Sequence, residues 1–376
     1  MFIQCTKKLL EQLDIKPESR VEEEPLFSWH AHLISVNRRK TVVLVNDKNR
    51  YAIVLYGLKS KDCKRFNEIV LQGIRETFEE EGIKEEVIEK FLLHSKEFTY
   101  SKAKDRTSVA RMNKVCANVY FYEDLLDNNL IINTKISRRV SRCLVGNGKN
   151  DYIRPNEEMY KELEDFVGQH IFRMKAVQIK VVLKLGERQV WRRIVVPVTR
   201  TFPELHDILQ SAFGWRNCHL HEFVIFENKP SGHDITINDS SDHEKEYNPI
   251  MNLVCDEEAF AYPKETEMKP ETGIKLSEYI PTYKKLKYNY DFGDDWQHDI
   301  EVERIIDDYN ANYPICLEGE GNTPPEDVGG SYGYEEFLAI LADPKHLDYK
   351  HMVNWGNVQG YEEFDIVRVN RILKNR

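Results

Sequence analysis

Hydrophobic and polar positions in the first half of the chain predict a group of strands followed by helices. Three runs rich in β-branched and aromatic residues, separated by polar turns, predict an antiparallel meander over residues 25–36, 40–47 and 50–57. Apolar residues at helical spacing over 63–82 predict a helix, and Gly82 is placed to end it.

The segments around this meander carry further signals. Thr6 precedes KKLLEQLDI and predicts the N-cap of a short helix. Residues 104–126 have the pattern of a helix, whereas residues 132–152 are basic and polar and predict a surface loop or a pair of strands. A helix over NEEMYKELEDFV closes the unit, for which we predict the boundaries 1–172.

A second unit, predicted over 176–376, begins where the polar and apolar alternation of AVQIKVVLKL and QVWRRIVVPV predicts a hairpin. Thr201 is the predicted cap of the helix that follows, and strands return at HLHEFVIF, YKKLKYNYDF and HDIEVERII. Residues 228–275 predict a long polar insertion. The fold class is therefore α+β, with two domains, each a mostly antiparallel sheet packed with helices.

Composition narrows the class of protein. The chain has 376 residues, of which 41% are hydrophobic and 31% charged, as in globular proteins. No run approaches the ~20 apolar residues of a membrane helix, so we predict no membrane association. The seven cysteines are scattered without a CxxC pair, which predicts reduced thiols, a cytoplasmic location and no cysteine-built zinc site.

The net charge of −10 is unevenly distributed. Residues 1–175 carry 31 basic and 27 acidic side chains, whereas the remainder carries 22 and 36. A nucleic acid would be repelled by the second half and only weakly tolerated by the first.

Three stretches of the second half carry a family resemblance: HLHEF at 219–223, YNYDFGDDWQHDIEVE at 288–303 and PPEDVGGSYGYEEFLAILADPKH at 324–346. With the closing FDIVRVNRIL, they resemble the plasmid pRiA4b ORF-3-like family over roughly residues 176–376. The resemblance implies an α+β fold and an occasional association with mobile elements, but no settled activity. The first half resembles a separate bacterial domain of unknown function.

The chain also departs from this family. Many members have cysteines near the PPED segment, at positions that Thr323 and Val328 occupy here, and Cys316 alone remains nearby. The resemblance therefore implies that any cysteine-rich metal site of relatives is incomplete in this protein.

Histidines and aspartates of the second half predict a possible metal site. His219 and His221 would share one face of a strand, and His298 with one of Asp291, Asp294 or Asp295 could converge on them from a neighbouring strand. Of these aspartates, Asp294 is the predicted ligand. Such a set suits a divalent metal such as zinc, iron or manganese. The alternative is that the histidines hydrogen-bond within the sheet while the aspartates close a turn in which Gly293 has a positive φ.

Two other features leave alternatives open. The loop EGEGNTPPEDVGG is either a lid over a ligand or, as we favour, a tight connection ahead of a helix. Basic residues of the first half would form a surface that contacts nucleic acid, with charge runs on a solvated face as the alternative. The predicted residues of this surface are Lys102, Lys104, Arg106, Arg111, Lys114, Arg138, Arg139 and Arg142, with Arg38, Arg39 and Lys40 in a separate turn.

These features support three hypotheses. The leading one is an intracellular binding or regulatory protein that recognises a protein or a small ligand. The second is a metal-dependent hydrolase acting on a phosphoester, in which Glu222 or Asp295 moves protons. The third is an accessory protein that associates with nucleic acid.

Overall fold

The structure is a computed structural model that describes residues 1–18, 24–103, 106–146, 151–228, 248–261 and 266–375. The chain divides into two compact units, Met1–Arg173 and Met174–Arg376. The predicted α+β class is confirmed. None of the described helices is long and apolar enough to cross a bilayer.

The first unit contains a five-stranded sheet in the order β4-β3-β2-β1-β5 and a separate two-stranded ribbon, β6-β7. Its strands are β1 (Phe2–Cys5), β2 (Ser28–Val36), β3 (Arg39–Asn46), β4 (Ala52–Tyr56), β5 (Thr99–Lys102), β6 (Val145–Gly146) and β7 (Tyr152–Ile153). Its helices are α1 (Lys7–Leu13), α2 (Ser60–Cys63), α3 (Phe66–Glu80), α4 (Glu85–His94), α5 (Arg106–Phe121), α6 (Thr134–Ser141) and α7 (Pro155–Val167).

The antiparallel meander β2-β3-β4 forms as predicted, and apolar side chains cover both of its faces. Strand β1 precedes α1 and pairs in parallel with both β2 and β5, which the sequence did not indicate. Thr6 does begin α1, but its hydroxyl makes no cap hydrogen bond and contacts His32 Nδ1 at 3.1 Å instead.

The interpretation of residues 132–152 as a loop or a strand pair is wrong for their first part, which forms α6. Helix α6 covers the edge of β4, where the hydroxyls of Ser137 and Ser141 accept the backbone N–H groups of Val54 and Ala52, each at 2.9 Å. The serines that gave this segment its polar pattern therefore hydrogen-bond the backbone N–H groups of an edge strand.

The second unit contains an eight-stranded sheet in the order β12-β11-β10-β13-β14-β8-β9-β15. Its strands are β8 (Met174–Leu185), β9 (Arg188–Pro197), β10 (His221–Phe226), β11 (Pro249–Val254), β12 (Met268–Pro270), β13 (Lys285–Tyr290), β14 (Trp296–Tyr309) and β15 (Ile315–Glu320). Its helices are α8 (Phe202–Phe213), α9 (Gly330–Ala342), α10 (Tyr349–Gln359) and α11 (Ile366–Leu373).

Helix α8 packs its apolar side on the sheet, and the predicted cap is present. The Glu204 backbone N–H donates to Thr201 Oγ1 at 3.4 Å, and Glu204 Oε2 accepts the Thr201 backbone N–H at 2.7 Å, which completes a capping box. Leu205, Ile208 and Leu209 of the same helix are buried against the strands.

The predicted polar insertion over 228–275 is partly an element of the sheet. Strand β11 pairs with β10, and β12 pairs with β11, because Met251 and Leu253 supply a buried apolar face within this polar segment. Residues 229–247 and 262–265 of the predicted insertion lie outside the described residues.

Candidate metal centre

Three loops of the second unit meet at one end of its sheet. The first joins α8 to β10, the second is the turn between β13 and β14, and the third precedes α9. They carry His219, Asp291 and the pair Glu326–Asp327, respectively.

His219 stands at the centre of this group. Its Nε2 lies 3.1 Å from Asp327 Oδ1, 3.5 Å from Asp291 Oδ2 and 3.9 Å from Glu326 Oε2. One ligand atom each from His219, Asp291 and Asp327 lie within 4.8 Å of one another. Ligands at about 2.1 Å from a tetrahedral ion are about 3.4 Å apart, so these separations suit one metal ion.

The turn that carries Asp291 orients the carboxylate of this residue through backbone hydrogen bonds. Asp291 Oδ1 accepts the backbone N–H groups of Gly293 at 3.0 Å and Asp294 at 3.2 Å, which leaves Oδ2 to face His219. The predicted turn forms, but Asp291 and Asp295, at φ 56° and 54°, adopt the left-handed conformation that we assigned to Gly293. Aspartate tolerates this conformation because its short side chain hydrogen-bonds the local backbone.

Tyr290 links the three loops. It directly precedes Asp291, its hydroxyl donates to Glu326 Oε1 at 3.0 Å, and the same hydroxyl accepts the Cys218 backbone N–H at 3.0 Å. Burial, with a smaller effect of Glu326, raises the pKa of Tyr290, so the hydroxyl keeps the proton that it donates.

Glu326 is the most deeply placed carboxylate of the group, with 3% of its surface exposed. Its Oε1 also accepts the Arg216 backbone N–H at 2.8 Å, whereas its Oε2 is buried without a hydrogen-bond partner among the described residues. Buried polar atoms are nearly always hydrogen-bonded, so Glu326 Oε2, 3.9 Å from His219 Nε2, is suited to contact a ligand at this position. Three carboxylates around one imidazole favour a cation.

The structure does not bring the four predicted ligands together. His219 precedes β10 and so is not held to the face of that strand, whereas His221 begins the strand and is buried. His221 Nε2 lies 2.9 Å from Glu271 Oε1, and its ring stacks on His206 with centroids 3.5 Å apart. Burial lowers the pKa of His221 to about 4 and raises that of Glu271 to about 7.

His298 is fully buried under α8. Its Nδ1 donates to the Tyr288 carbonyl at 3.1 Å, and its ring lies edge-on to Phe213 and Trp215. Burial lowers the pKa of His298 to about 3, so the imidazole is neutral. Within the sheet, His221 and His298 follow the alternative in which the histidines hydrogen-bond their surroundings.

The remaining predicted site residues also have partners of their own. Asp294 Oδ2 accepts the Gly329 backbone N–H at 3.2 Å, which ties two of the loops together, and Asp295 Oδ2 accepts Gln297 Nε2 at 2.8 Å. Glu222 is held on the sheet by the side-chain amides of Asn252 and Asn289, at 2.8 and 2.7 Å. Neither proton-transfer candidate, Glu222 or Asp295, is among the residues that surround His219.

The predicted ligands did not include Glu326 or Asp327, and Asp291 was an alternative to Asp294. We interpreted the PPED segment as a tight connection ahead of a helix. Such a loop can also carry ligand side chains. A usable signal was present, because the three stretches of family resemblance each contribute one part of the group around His219.

The predicted nucleic-acid surface of the first unit is divided. Arg138 and Arg142 contact the buried Glu81, and Arg139 lies over the Tyr122 ring with its guanidinium carbon 4.6 Å from the centroid. On strand β5 and helix α5, Lys102 and Lys114 are exposed and Arg111 is half-buried. Lys104 and the side chain of Arg106 lie outside the described residues.

Comparisons with known proteins agree with the two-unit organisation. The model of the plasmid pRiA4b ORF-3-like protein family matches residues 175–372, and that of a domain of unknown function, DUF6933, matches residues 2–158. An uncharacterised protein of Sinorhizobium fredii, y4hQ, is 34% identical over 186 residues, which are 50% of this chain and 83% of that protein.

A solved structure is also similar. The protein of unknown function MM3350 from Methanosarcina mazei is 32% identical, with a TM-score of 0.41, and the match covers 52% of this chain and 97% of that one. The matched proteins and families are uncharacterised, so no specific activity comes from them. The chain belongs to the plasmid pRiA4b ORF-3-like family.

Proposed function

We propose that this protein is a metal-binding protein, whose second unit holds one divalent transition metal ion through His219, Asp291 and Asp327. The observation that carries the proposal is the convergence of three carboxylates on one imidazole nitrogen. His219 Nε2 lies 3.1 Å from Asp327 Oδ1, 3.5 Å from Asp291 Oδ2 and 3.9 Å from Glu326 Oε2. An imidazole with carboxylates is a donor set that zinc and manganese accept.

This proposal makes the leading hypothesis of a binding or regulatory protein more specific. The proposed ligand is a metal ion. The cytoplasmic location and the link to mobile elements stay predictions.

Metal binding is tested by titrating the purified, metal-stripped chain with Zn²⁺ and with Mn²⁺ in a calorimeter. We expect one site per chain, lost in His219→Ala and kept in His351→Ala, which removes an exposed histidine of α10 in the same unit. Equal affinities of the two variants, or no binding by the unaltered chain, would reject the proposal.

A second candidate function is metal-dependent hydrolysis of a phosphoester. Glu326 favours it, because Oε2 is placed beside the proposed ion and is free to accept a proton. A bound divalent ion would supply a water of lowered pKa. Glu326 would take the role that we had predicted for Glu222 or Asp295.

Hydrolysis is tested with bis(4-nitrophenyl) phosphate and the metal-loaded chain. We expect Glu326→Gln to retain the metal, because the substitution keeps an acceptor for Tyr290, and to lose turnover. Turnover equal to that of the unaltered chain would remove Glu326 from the mechanism, and no turnover by either would reject this second candidate function.

A further inference from the structure

A concave, cationic surface lies on the first unit, outside the region of the candidate metal centre. It is formed by the β2–β3 turn, the connection from β4 to α2, and Asn128, and it encloses about 620 Å³. Four basic side chains line it, Arg38, Arg39, Lys40 and Lys59, and its described lining residues include no acidic one.

These four charges are not neutralised within the part of the chain that the structure describes. None of them forms an ion pair there, whereas Arg138 and Arg142 of the same unit share Glu81. Other basic residues of this unit, such as Arg75 and Lys48, are also ion-paired. The concave surface therefore gathers basic side chains that lack an acidic partner.

The backbone that carries these side chains is fixed. Asn37 and Arg38, at φ 48° and 61°, form a two-residue hairpin turn of the kind that matches the twist of its strands. The Leu58 backbone N–H donates to the Lys40 carbonyl at 3.0 Å, which joins the two basic segments.

Arg39 is also held by its side chain. Its Nη1 donates to the Asn128 carbonyl at 2.7 Å, and its guanidinium carbon lies 5.6 Å from the Tyr56 ring centroid. The other guanidinium N–H groups have no hydrogen-bond partner among the described residues. A guanidinium held in this way loses little conformational freedom when it binds a phosphate.

We infer that this surface binds the phosphate backbone of a nucleic acid strand. Four separate positive charges around an open cavity contact several phosphates at once, which a polynucleotide supplies and a single phosphate does not. Because the net charge of the chain is −10, binding of a polyanion requires a local surface such as this one.

The inference is independent of the proposed metal site and is tested by fluorescence anisotropy with a labelled 20-nucleotide single strand over a range of salt concentrations. The first variant replaces Arg38, Arg39, Lys40 and Lys59 by glutamine. The matched control replaces Lys102, Arg111, Lys114 and Lys135, so that four basic residues of the same unit are removed elsewhere. Circular dichroism checks that both variants are folded.

We expect the unaltered chain and the control to bind, and the first variant to bind at least tenfold more weakly. Each lost phosphate contact removes about 0.7 from the slope of log K against log salt, so the slope changes by roughly 3. No binding by the unaltered chain, or an equal loss in the control, would overturn the inference. Equal binding of a poly-glutamate competitor would overturn it in favour of an acidic protein partner.

Discussion

Two buried glutamates, one in each unit, are stabilised in opposite ways. Glu81 of the first unit contacts Arg142 at 2.5 and 2.8 Å, Arg138 at 3.4 Å and the Tyr51 hydroxyl at 3.0 Å. Glu326 of the second unit receives one hydroxyl and one backbone N–H, and the nearest basic side chain among the described residues is the His219 imidazole at 3.9 Å.

The difference shows for which carboxylate the protein itself supplies the opposite charge. Burial alone would raise the pKa of Glu81, but Arg142 and Arg138 lower it to about 2, so the protein itself supplies the opposite charge. A buried carboxylate without such a partner is costly. A ligand can remove that cost, which is why we place the metal beside Glu326 and assign Glu81 to the stability of the first unit.

The largest predicted effect comes from removing the carboxylate of Glu81. Glu81→Gln leaves two arginines without their carboxylate, so the free energy of unfolding of the first unit should fall by about 3–5 kcal/mol. Glu326→Gln in the metal-free chain removes a costly buried charge, so the free energy of unfolding should stay the same or rise by about 1 kcal/mol. Denaturation by urea, followed by circular dichroism, measures both.

A loss of stability in Glu326→Gln as large as that in Glu81→Gln would contradict the comparison. It would mean that Glu326, like Glu81, is already balanced within the protein.

A smaller effect concerns His298. This buried side chain avoids an uncompensated charge in a third way, because its imidazole is neutral. Burial lowers its pKa to about 3, from an ordinary value of 6.5. The unfolded chain then binds the extra proton, so the contribution is fully present above pH 6.5 and is lost as the pH falls below it. At pH 5 the loss is about 2 kcal/mol.

This contribution is isolated by comparing the unaltered chain with His298→Gln at pH 7 and pH 5. The variant is less stable at both values, but the difference in free energy of unfolding between the two proteins should shrink by about 2 kcal/mol at pH 5. A constant difference would show that His298 is charged in the folded chain.

The smallest effect concerns the residue that joins the loops around His219. Tyr290→Phe keeps the ring but removes the hydroxyl that contacts Cys218 and Glu326, so we expect metal affinity to fall about tenfold. Tyr309→Phe is the control, because its hydroxyl donates to the Tyr313 carbonyl at 2.9 Å, far along the chain from the ligand loops. Equal affinities of the two variants would exclude a positioning role for Tyr290.

The sequence predicted the sheet-forming segments well where apolar positions dominate. The β2-β3-β4 meander and the capped helix α8 follow from local pattern and turn chemistry. It did not predict β1 or α6, because a four-residue parallel strand and a serine-bearing helix depend on neighbours that are distant in the chain.

The candidate site was only partly predictable for the same reason. His219 was identified from its type and spacing, but the strand alternation that paired it with His221 does not apply to a residue before the strand. Asp291 and Asp327 come from loops, and only the fold brings three loops to one end of a sheet. No local pattern reports that Glu326 is buried without an ion-paired arginine or lysine among the described residues.

The central claim is that one metal ion binds among His219, Asp291 and Asp327. Anomalous diffraction from crystals of the chain soaked in Mn²⁺ tests it directly, because the signal locates the ion. We predict a peak about 2.0–2.2 Å from His219 Nε2 and from one carboxylate oxygen of each aspartate. A peak elsewhere, or none at a Mn²⁺ concentration that saturates binding in solution, would contradict the account.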